Sequence, residues 1–583
     1  MKKWKYVDKG STIEEFFLKN MGVASLDEVN AMFKKSYDDK YVISDMDKAI
    51  NLIKKHKDDV ITIFGDYDAD GITSTSILIL GLRRAGYKVQ YLIPKRHTEG
   101  FGCNKGMVDK AISWGTKLII TCDNGIAQLE TIDYAKKRGL DVLITDHHEL
   151  SVAGLPNADV IIDPSAIPGQ CEFSGYCGAG IAYKVIRALF KCEEISDSVT
   201  LNKCLSLCAI GTVADVMELK EENYVFVKNG MKKIQNPITC PLGLHALACE
   251  FGLQHHMCAK DIGFKLGPVI NAQSRLIDDG ASEVVEFFIN ETRPYNEVIN
   301  IIEKFKQRND ARKNLKRDNL KAANAYIADN CLFGNIPLII RLDTCPEGII
   351  GIIAGNLTEK YGVPTLVLCE TKDDKNVLKG SGRSVDGYDI ISALKKVDGL
   401  SIESSDDNDS VFTKYGGHES ACGFSVRKDK FDEFVSLMTS SIPENFEPVS
   451  TQEIEYNFEI LSKNIEKNVK ELEKFEPWGM GNPMPVFKIR DFKVIPKDGV
   501  WKKVMAETII KLKGANASAI GFDMAEHFSK IEPRTLNLVG ELSLNYFNGD
   551  VDNQIEFMDF EEVSSAKMET PLAKKLKSMA LIS

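Results

Sequence analysis

Residues 60–71 read VITIFGDYDADG, an apolar run of β-branched and aromatic residues that stops at Gly65 and gives way to Asp66, Asp68 and Asp70 at alternating positions, then Gly71. A run of this length and type predicts a buried strand, because such side chains fill a pleated surface. Outward from it, short strand-like runs alternate with helical stretches from residue 58 to about 163: SILILGLRRAG, VQYLIP, KLIITC, a helix through Leu140, DVLIT and VIID. That alternation predicts an α/β fold with a parallel, doubly wound sheet. Such sheets take ligands beyond the carboxyl ends of their strands, where the aspartates fall.

Three carboxylates in five residues repel one another unless a cation or a turn uses them. A cap for a helix starting near Ile72, from Asp70 or Thr73, would account for one of the three aspartates. Two more strand ends are acidic: Cys122-Asp123-Asn124-Gly125 and Asp146-His147-His148. A lone strand-end aspartate is ordinarily a turn former, whereas three such ends in one sheet form a shared rim. Oxygen ligands with imidazole suit Mn2+ or Mg2+ better than zinc. In Gly211-Thr212-Val213-Ala214-Asp215-Val216, Asp215 ends an apolar helical segment, and a buried helix-terminal aspartate is its default reading.

Beyond Pro164 the pattern is mainly helical to about residue 295, so residues 1–295 are assigned to the first domain. A long helix is expected over 296–330, and between Glu303 and Lys321 it carries eight Lys or Arg against three acids. That stretch is either a solvated connector with helical ion pairs or a surface that tracks a strand. A second α/β unit is expected over 331–445, through PLIIRL, IIGIIAGNLTEKYG and PTLVLC to GFSV, with SIESSDDNDS (401–410) as an acidic surface loop. Short alternating strands over 446–563 predict an OB-like β-barrel, either nucleic-acid-binding or purely structural, and 564–583 form a tail. Trp501 and Tyr546 are read as packing residues first and stacking platforms second.

The 583 residues imply several domains, and 44% hydrophobic with 27% charged residues is ordinary globular usage. No run approaches the 18 or so apolar residues of a membrane span, and MKKWKYVDKG is followed by no apolar stretch, so a cytoplasmic protein without membrane contact is expected. Fourteen cysteines without a C-x-x-C pair read as reduced core residues. The net charge of −11 argues against a basic nucleic-acid face, but metal ligands inflate the acidic count.

Several segments recur in one order: DYDADGITS, IPKRHTEGFG, the Asp146-His147-His148 triplet, GTVADV, GPVINAQSRL, GIIGIIAGNLTEKY, KGSGRSVDGYD, YGGHESACGFS and EPWGMGNPMPVF. Together they resemble the DHH phosphoesterase superfamily, and within it the RecJ-type single-strand-specific exonucleases, over roughly residues 10 to 560. The resemblance implies two Mn2+ or Mg2+ ions among Asp66, Asp68, Asp70, Asp123, His147 and Asp215, with Asp123 bridging and Asp70 contributing to catalysis. It makes His148 the group that meets the scissile phosphate or moves a proton. A terminal 5′ phosphate is expected at Ser381, Arg383, Gly416, Gly417 and His418, with Arg96 and Arg275 on nearby phosphates. The implied activity is 5′-to-3′ exonucleolysis of single-stranded DNA to 5′ mononucleotides in recombination and repair, by a monomer, with a helicase or single-strand-binding protein as partner. Two other readings remain: a phosphodiesterase for short oligonucleotides or cyclic dinucleotides, and a non-catalytic module of a replication complex. The chain departs from the family pattern at Cys345-Pro346-Glu347, at GPV and at NAQSRL.

Overall fold

The structure, a computed structural model, describes residues 2–34, 41–151, 153–371, 374–404, 409–449, 453–495, 503–504, 509–522, 524–528, 535–547 and 550–563. Trp501, residues 405–408 and the 564–583 tail lie outside the described residues, and the start of the expected 401–410 loop is instead the end of the helix Ile390–Ser404. The chain forms two compact units, Val23–Thr451 with Pro477–Asn482, and Met1–Gly22 with Gln452–Glu476 and Pro483–Ser583.

The first unit is built on a five-stranded sheet whose order is Lys88–Leu92, Val60–Phe64, Thr116–Cys122, Asp141–Thr145 and Val160–Ile162, every pairing parallel. This is the doubly wound sheet read from VITIF outward. The order of winding reverses between Val60–Phe64 and Thr116–Cys122, which opens a crevice at their carboxyl ends. The helix Ala69–Arg84 leaves that crevice and is buried along most of its length. It packs against the helices Gly178–Cys192 and Ser198–Ala214, and Gly81 sets one approach, since a Cβ there would lie 2.5 Å from Ile186. Each Ile or Leu buried in that interface stabilises by about 1.5–3 kcal/mol. The helix Lys105–Ser113, capped by Asn104, also stands in the alternation and is absent from the sequence reading.

Eight further helical segments carry the chain from Gly178 to Ile289, and the helix Tyr295–Asp329 then runs 35 residues. A second five-stranded sheet follows in the order Phe412–His418, Ala421–Arg427, Val377–Arg383, Thr365–Glu370 and Leu338–Arg341. Its last pair is parallel and the others antiparallel, with the helix Glu347–Tyr361 on the Val377–Arg383 strand.

The second unit holds a seven-stranded mixed sheet running from Phe458–Leu461 to Lys503–Val504, the OB-like element, with the helix Ile465–Glu473 beside it. The first 22 residues belong to this unit, whereas the sequence places them in the first domain, 1–295. Lys3–Tyr6 pairs in parallel with Glu453–Tyr456, Trp4 Nε1 donates to Asp559 at 3.0 Å, and the rings of Phe17 and Phe475 stack at 4.7 Å. In return, Pro477–Asn482 belongs to the first unit, where Leu219 N–H donates to the Met480 carbonyl at 2.7 Å.

Candidate metal centre and phosphate site

The loop after Val60–Phe64 turns at once into a helix, and Asp68 makes the turn by accepting the N–H groups of Asp70 and Gly71 at 3.0 Å each. The cap is therefore Asp68, two residues ahead of the expected Asp70, and Thr73 instead hydrogen-bonds back to the Ala69 carbonyl. Gly71 is required by contact, since a Cβ there would sit 2.5 Å from the Asp66 carbonyl oxygen. Asp68 Oδ2 is left for other use. Asp66 is buried, and its Oδ1 has no hydrogen-bond partner.

Asp123 follows Thr116–Cys122 and adopts φ 60°, a left-handed conformation that aspartate tolerates and that turns its carboxylate toward His147. His147 Nε2 lies 3.0 Å from Asp123 Oδ1, 3.6 Å from Asp215 Oδ2 and 3.8 Å from Asp70 Oδ2. Asp215 arrives as the C-cap of Ser198–Ala214. The ligand atoms fall into three overlapping groups, Asp66-Asp68-Asp123, Asp70-His147-Asp215 and Asp123-His147-His148, each within 4.8 Å. All six residues expected around cations thus meet in the crevice, with Asp123 shared by two groups.

Asp146 plays a different part. It accepts from the N–H groups of Ile126, His147 and His148 and from His148 Nδ1 at 2.7 Å, so it orients the two histidines. Burial works against charge on His148, but the Asp146 hydrogen bond and charge prevail and hold its pKa up to about 9. Burial and then neighbouring carboxylates push Asp66, Asp123 and Asp215 well above the ordinary carboxylate range. A cluster so crowded with buried carboxylates, one carrying an unpartnered oxygen, fits hard divalent cations.

Beside this anionic centre lies a cationic one. Arg96 stacks 4.5 Å over Tyr67, with Nη1 buried and unpartnered. Arg275 donates only to the Gly348 carbonyl at 3.1 Å, and burial, then the Arg96 and Arg312 charges, bring its pKa down to about 9. Arg383 donates to Ser381 Oγ and to the Gly382 carbonyl, and it is likewise lowered by burial. None of the three has a carboxylate partner among the described residues. Guanidiniums that lower one another's pKa favour a bound polyanion.

Ser381 and Arg383 lie two apart on one strand, so they face the same side of their sheet. Ladder partners place His418 opposite Ala421, itself opposite Arg383, and Gly416 opposite Gly423, itself opposite Ser381. A Cβ on Gly416 or Gly423 would touch nothing within 4 Å, so that patch is bare. Gly416-Gly417-His418 is thus the end of a paired strand, not the tight loop that its composition suggests, and only Gly417 there has positive φ, 143°.

The basic stretch of Tyr295–Asp329 is mostly paired: Lys304 and Arg308 meet Glu283, Lys306 meets Glu250 and Lys313 meets Asp310. Arg312 is the exception, bonded to Asn309 and sensed by Arg275, and the sequence did not single it out. Asn271 is a second such residue, accepting the Ala69 N–H at 2.8 Å. The departure at Gln273 is accounted for by a buried Gln that donates to the Val269 and Phe305 carbonyls and accepts from Arg308. Among the described residues, no helix is long and apolar enough to cross a membrane.

Comparison with known proteins matches residues 60–212 to the DHH family, N-terminal domain, residues 335–444 to the DHHA1 domain and residues 458–559 to the RecJ OB domain. The chain is 30% identical over 535 residues to the single-stranded-DNA-specific exonuclease RecJ of Haemophilus influenzae, covering 88% of this chain and 89% of that protein. It is 31% identical over 470 residues to the protein so named in Dickeya dadantii, covering 77% and 78%. The crystal structure of RecJ in complex with Mn2+ from Thermus thermophilus superimposes with a TM-score of 0.72 at 22% identity, over 96% of this chain and 79% of that one.

Proposed function

The chain belongs to the RecJ family of single-stranded-DNA-specific exonucleases within the DHH superfamily, and from that footing we propose that it shortens single-stranded DNA from the 5′ end to 5′ mononucleotides, in DNA recombination and repair. The observation that carries the reading is the pairing, within one unit, of clustered carboxylates at a sheet switch point with guanidiniums beside them that have no carboxylate partner among the described residues.

Asp66, Asp68, Asp70, Asp123, His147 and Asp215 would hold two divalent cations, Mn2+ or Mg2+. When bound, these supply a water that ionises near neutral pH and offset the charge that builds on the phosphoryl oxygens. Arg96, Ser381 and Arg383 take the terminal 5′ phosphate, and the bare surface at Gly416 and Gly423 admits it beside His418. Arg275 and Arg312 take the next phosphate along the strand. His148, kept protonated by Asp146, gives a proton to the departing 3′ oxygen. Anchoring the 5′ phosphate in this way makes the cut exonucleolytic and sets its direction.

Residues 23–295 carry the hydrolytic centre, 296–330 connect, 331–445 hold the strand end and 446–563 guide the strand. The enzyme acts as a cytoplasmic monomer on strands already separated by a helicase or held by a single-strand-binding protein. Fourteen unpaired cysteines suit a reducing compartment.

The test is digestion of end-labelled strands with Mn2+. A 5′ label is expected in mononucleotides from the first time points, while a 3′-labelled strand shortens gradually. Rapid attack on dinucleotides with long strands untouched would replace this reading by the short-oligonucleotide one, and inertness with both cations bound would make the chain a non-catalytic module.

A further inference from the structure

One face of the second sheet repeats the same arrangement twice. Across the strands Val377–Arg383, Ala421–Arg427 and Phe412–His418 the ladder aligns Arg383, Ala421 and His418 in one row, and Lys379, Ser425 and Lys414 in another. Ser381 and the bare Gly423 and Gly416 form the row between. Residues so paired share a face, and successive rows on it lie about 6.6 Å apart along the strands. The middle strand offers only small side chains there, so in each outer row two cationic or imidazole groups face each other across an open floor. The helix Glu347–Tyr361 walls one side, since Gly351 abuts Arg383 and Ser381, and the edge strand Phe412–His418 forms the other. The Arg383 row is the one toward the metal centre, because His418 feels the charges of Glu149 and His148. The lysine row therefore lies on the far side of Ser381. Lys379 Nζ is 2.8 Å from Glu347 Oε2, whereas Lys414 is exposed and has no carboxylate partner among the described residues. An edge-strand lysine also deters pairing with other chains, but Lys379 is on an inner strand, where that role does not arise.

We propose that Lys379 and Lys414 form a second phosphoryl subsite, which takes the outer phosphates of a strand whose 5′ end carries a di- or triphosphate. This rests on the 5′-phosphate reading above: with a strand running from the metal centre to Arg383 and Ser381, whatever is attached beyond its terminal phosphate points at the lysine row. Ammonium groups on flexible stems suit phosphoryl oxygens, and the row has no aromatic face on which a further base could stack. On such an end the chemistry is unchanged. Water adds to the phosphorus joining the first two nucleotides, the bond from that phosphorus to the 3′ oxygen of the first breaks, and the oxygen leaves with a proton. The first product is a nucleoside di- or triphosphate, and the shortened strand carries an ordinary 5′ phosphate.

The experiment digests one DNA sequence, bearing either a 5′ monophosphate or a 5′ triphosphate, with the full chain and Mn2+, and compares the parent with Lys414→Ala, Lys414→Arg and Lys379→Gln. The parent is expected to digest both strands and to release one nucleoside triphosphate per triphosphorylated strand before any monophosphate. Lys414→Ala should raise KM for the triphosphorylated strand about tenfold with kcat kept, and change the monophosphorylated strand less than about twofold, as on loss of a contact made equally before and during reaction. Lys414→Arg should restore the parent's KM. Lys379→Gln should act as Lys414→Ala does, and if losing the Glu347 pair unfolds it, the two Lys414 variants decide alone. Refusal of the triphosphorylated strand while the monophosphorylated one is digested overturns the proposal. So does pyrophosphate as the first product, and so does a Lys414→Ala protein in which KM rises equally for both strands or for neither. Refusal of both strands by the parent overturns instead the 5′-end reading, and the subsite with it.

Discussion

At the scale of the residue, the metal-free centre stores its own repulsion. Asp66, Asp123 and Asp215 are all held above the ordinary carboxylate value by burial and then by neighbouring carboxylates, chiefly Asp68 and Asp70, so the folded protein takes up protons that the unfolded chain releases. Stability of the metal-free protein is therefore expected to fall as pH rises from about 4 toward neutrality, and Mn2+ should flatten that slope, both measurable by thermal melts across pH. Asp123→Asn should cut turnover at least about 10²–10³-fold, the cost of one lost electrostatic contact, and should be preferred to Asp123→Ala. Alanine at φ 60° adds about 1–2 kcal/mol of backbone strain that asparagine largely escapes. The acidic strand ends were legible because carboxylates seldom gather without a reason. Arg312 was not, since its neighbours in sequence are equally basic and only the tertiary partner, Asn309 in place of a carboxylate, separates it from Lys306 and Arg308.

At the scale of the element, the helix Glu347–Tyr361 presents glycine where the Arg383 guanidinium passes. A Cβ on Gly351 would lie 3.0 Å from both Arg383 Nη2 and Ser381 Oγ. Gly351→Val should displace the guanidinium and raise KM for 5′-phosphorylated strands about tenfold or more, with Mn2+ binding unchanged. Parallel loss of Mn2+ binding would show that the two sites are not separable. The parallel sheet could be read from VITIF and DVLIT because buried strands announce themselves by β-branched runs. The YGGH strand could not, because glycines carry no strand preference and its pairing is imposed by Ala421–Arg427 alone. The helix Lys105–Ser113 escaped for a related reason: its buried residues are only Met107, Val108 and Ala111, a short apolar stripe among polar neighbours.

At the scale of the whole molecule, a chain of net charge −11 is expected to bind a polyanion through few contacts. With Arg96, Arg275, Arg312 and Arg383 as the grip, log affinity for single strands against log salt should have a slope no steeper than about −3, at roughly −0.7 per phosphate neutralised. A slope near about −6 would place most of the binding on other surfaces. The second unit is legible in sequence as strand-rich, yet its N-terminal share is invisible there, because a pairing between Lys3–Tyr6 and Glu453–Tyr456 leaves no local pattern in either segment. That pairing also bears on biosynthesis. Lys3–Tyr6 leaves the ribosome ahead of its partner strand by the whole length of the first unit, which at about 5–20 residues per second is a delay of roughly 20–90 seconds. The first unit therefore has time to fold while the earliest strand waits, and the second unit closes only once the late segments emerge to receive it.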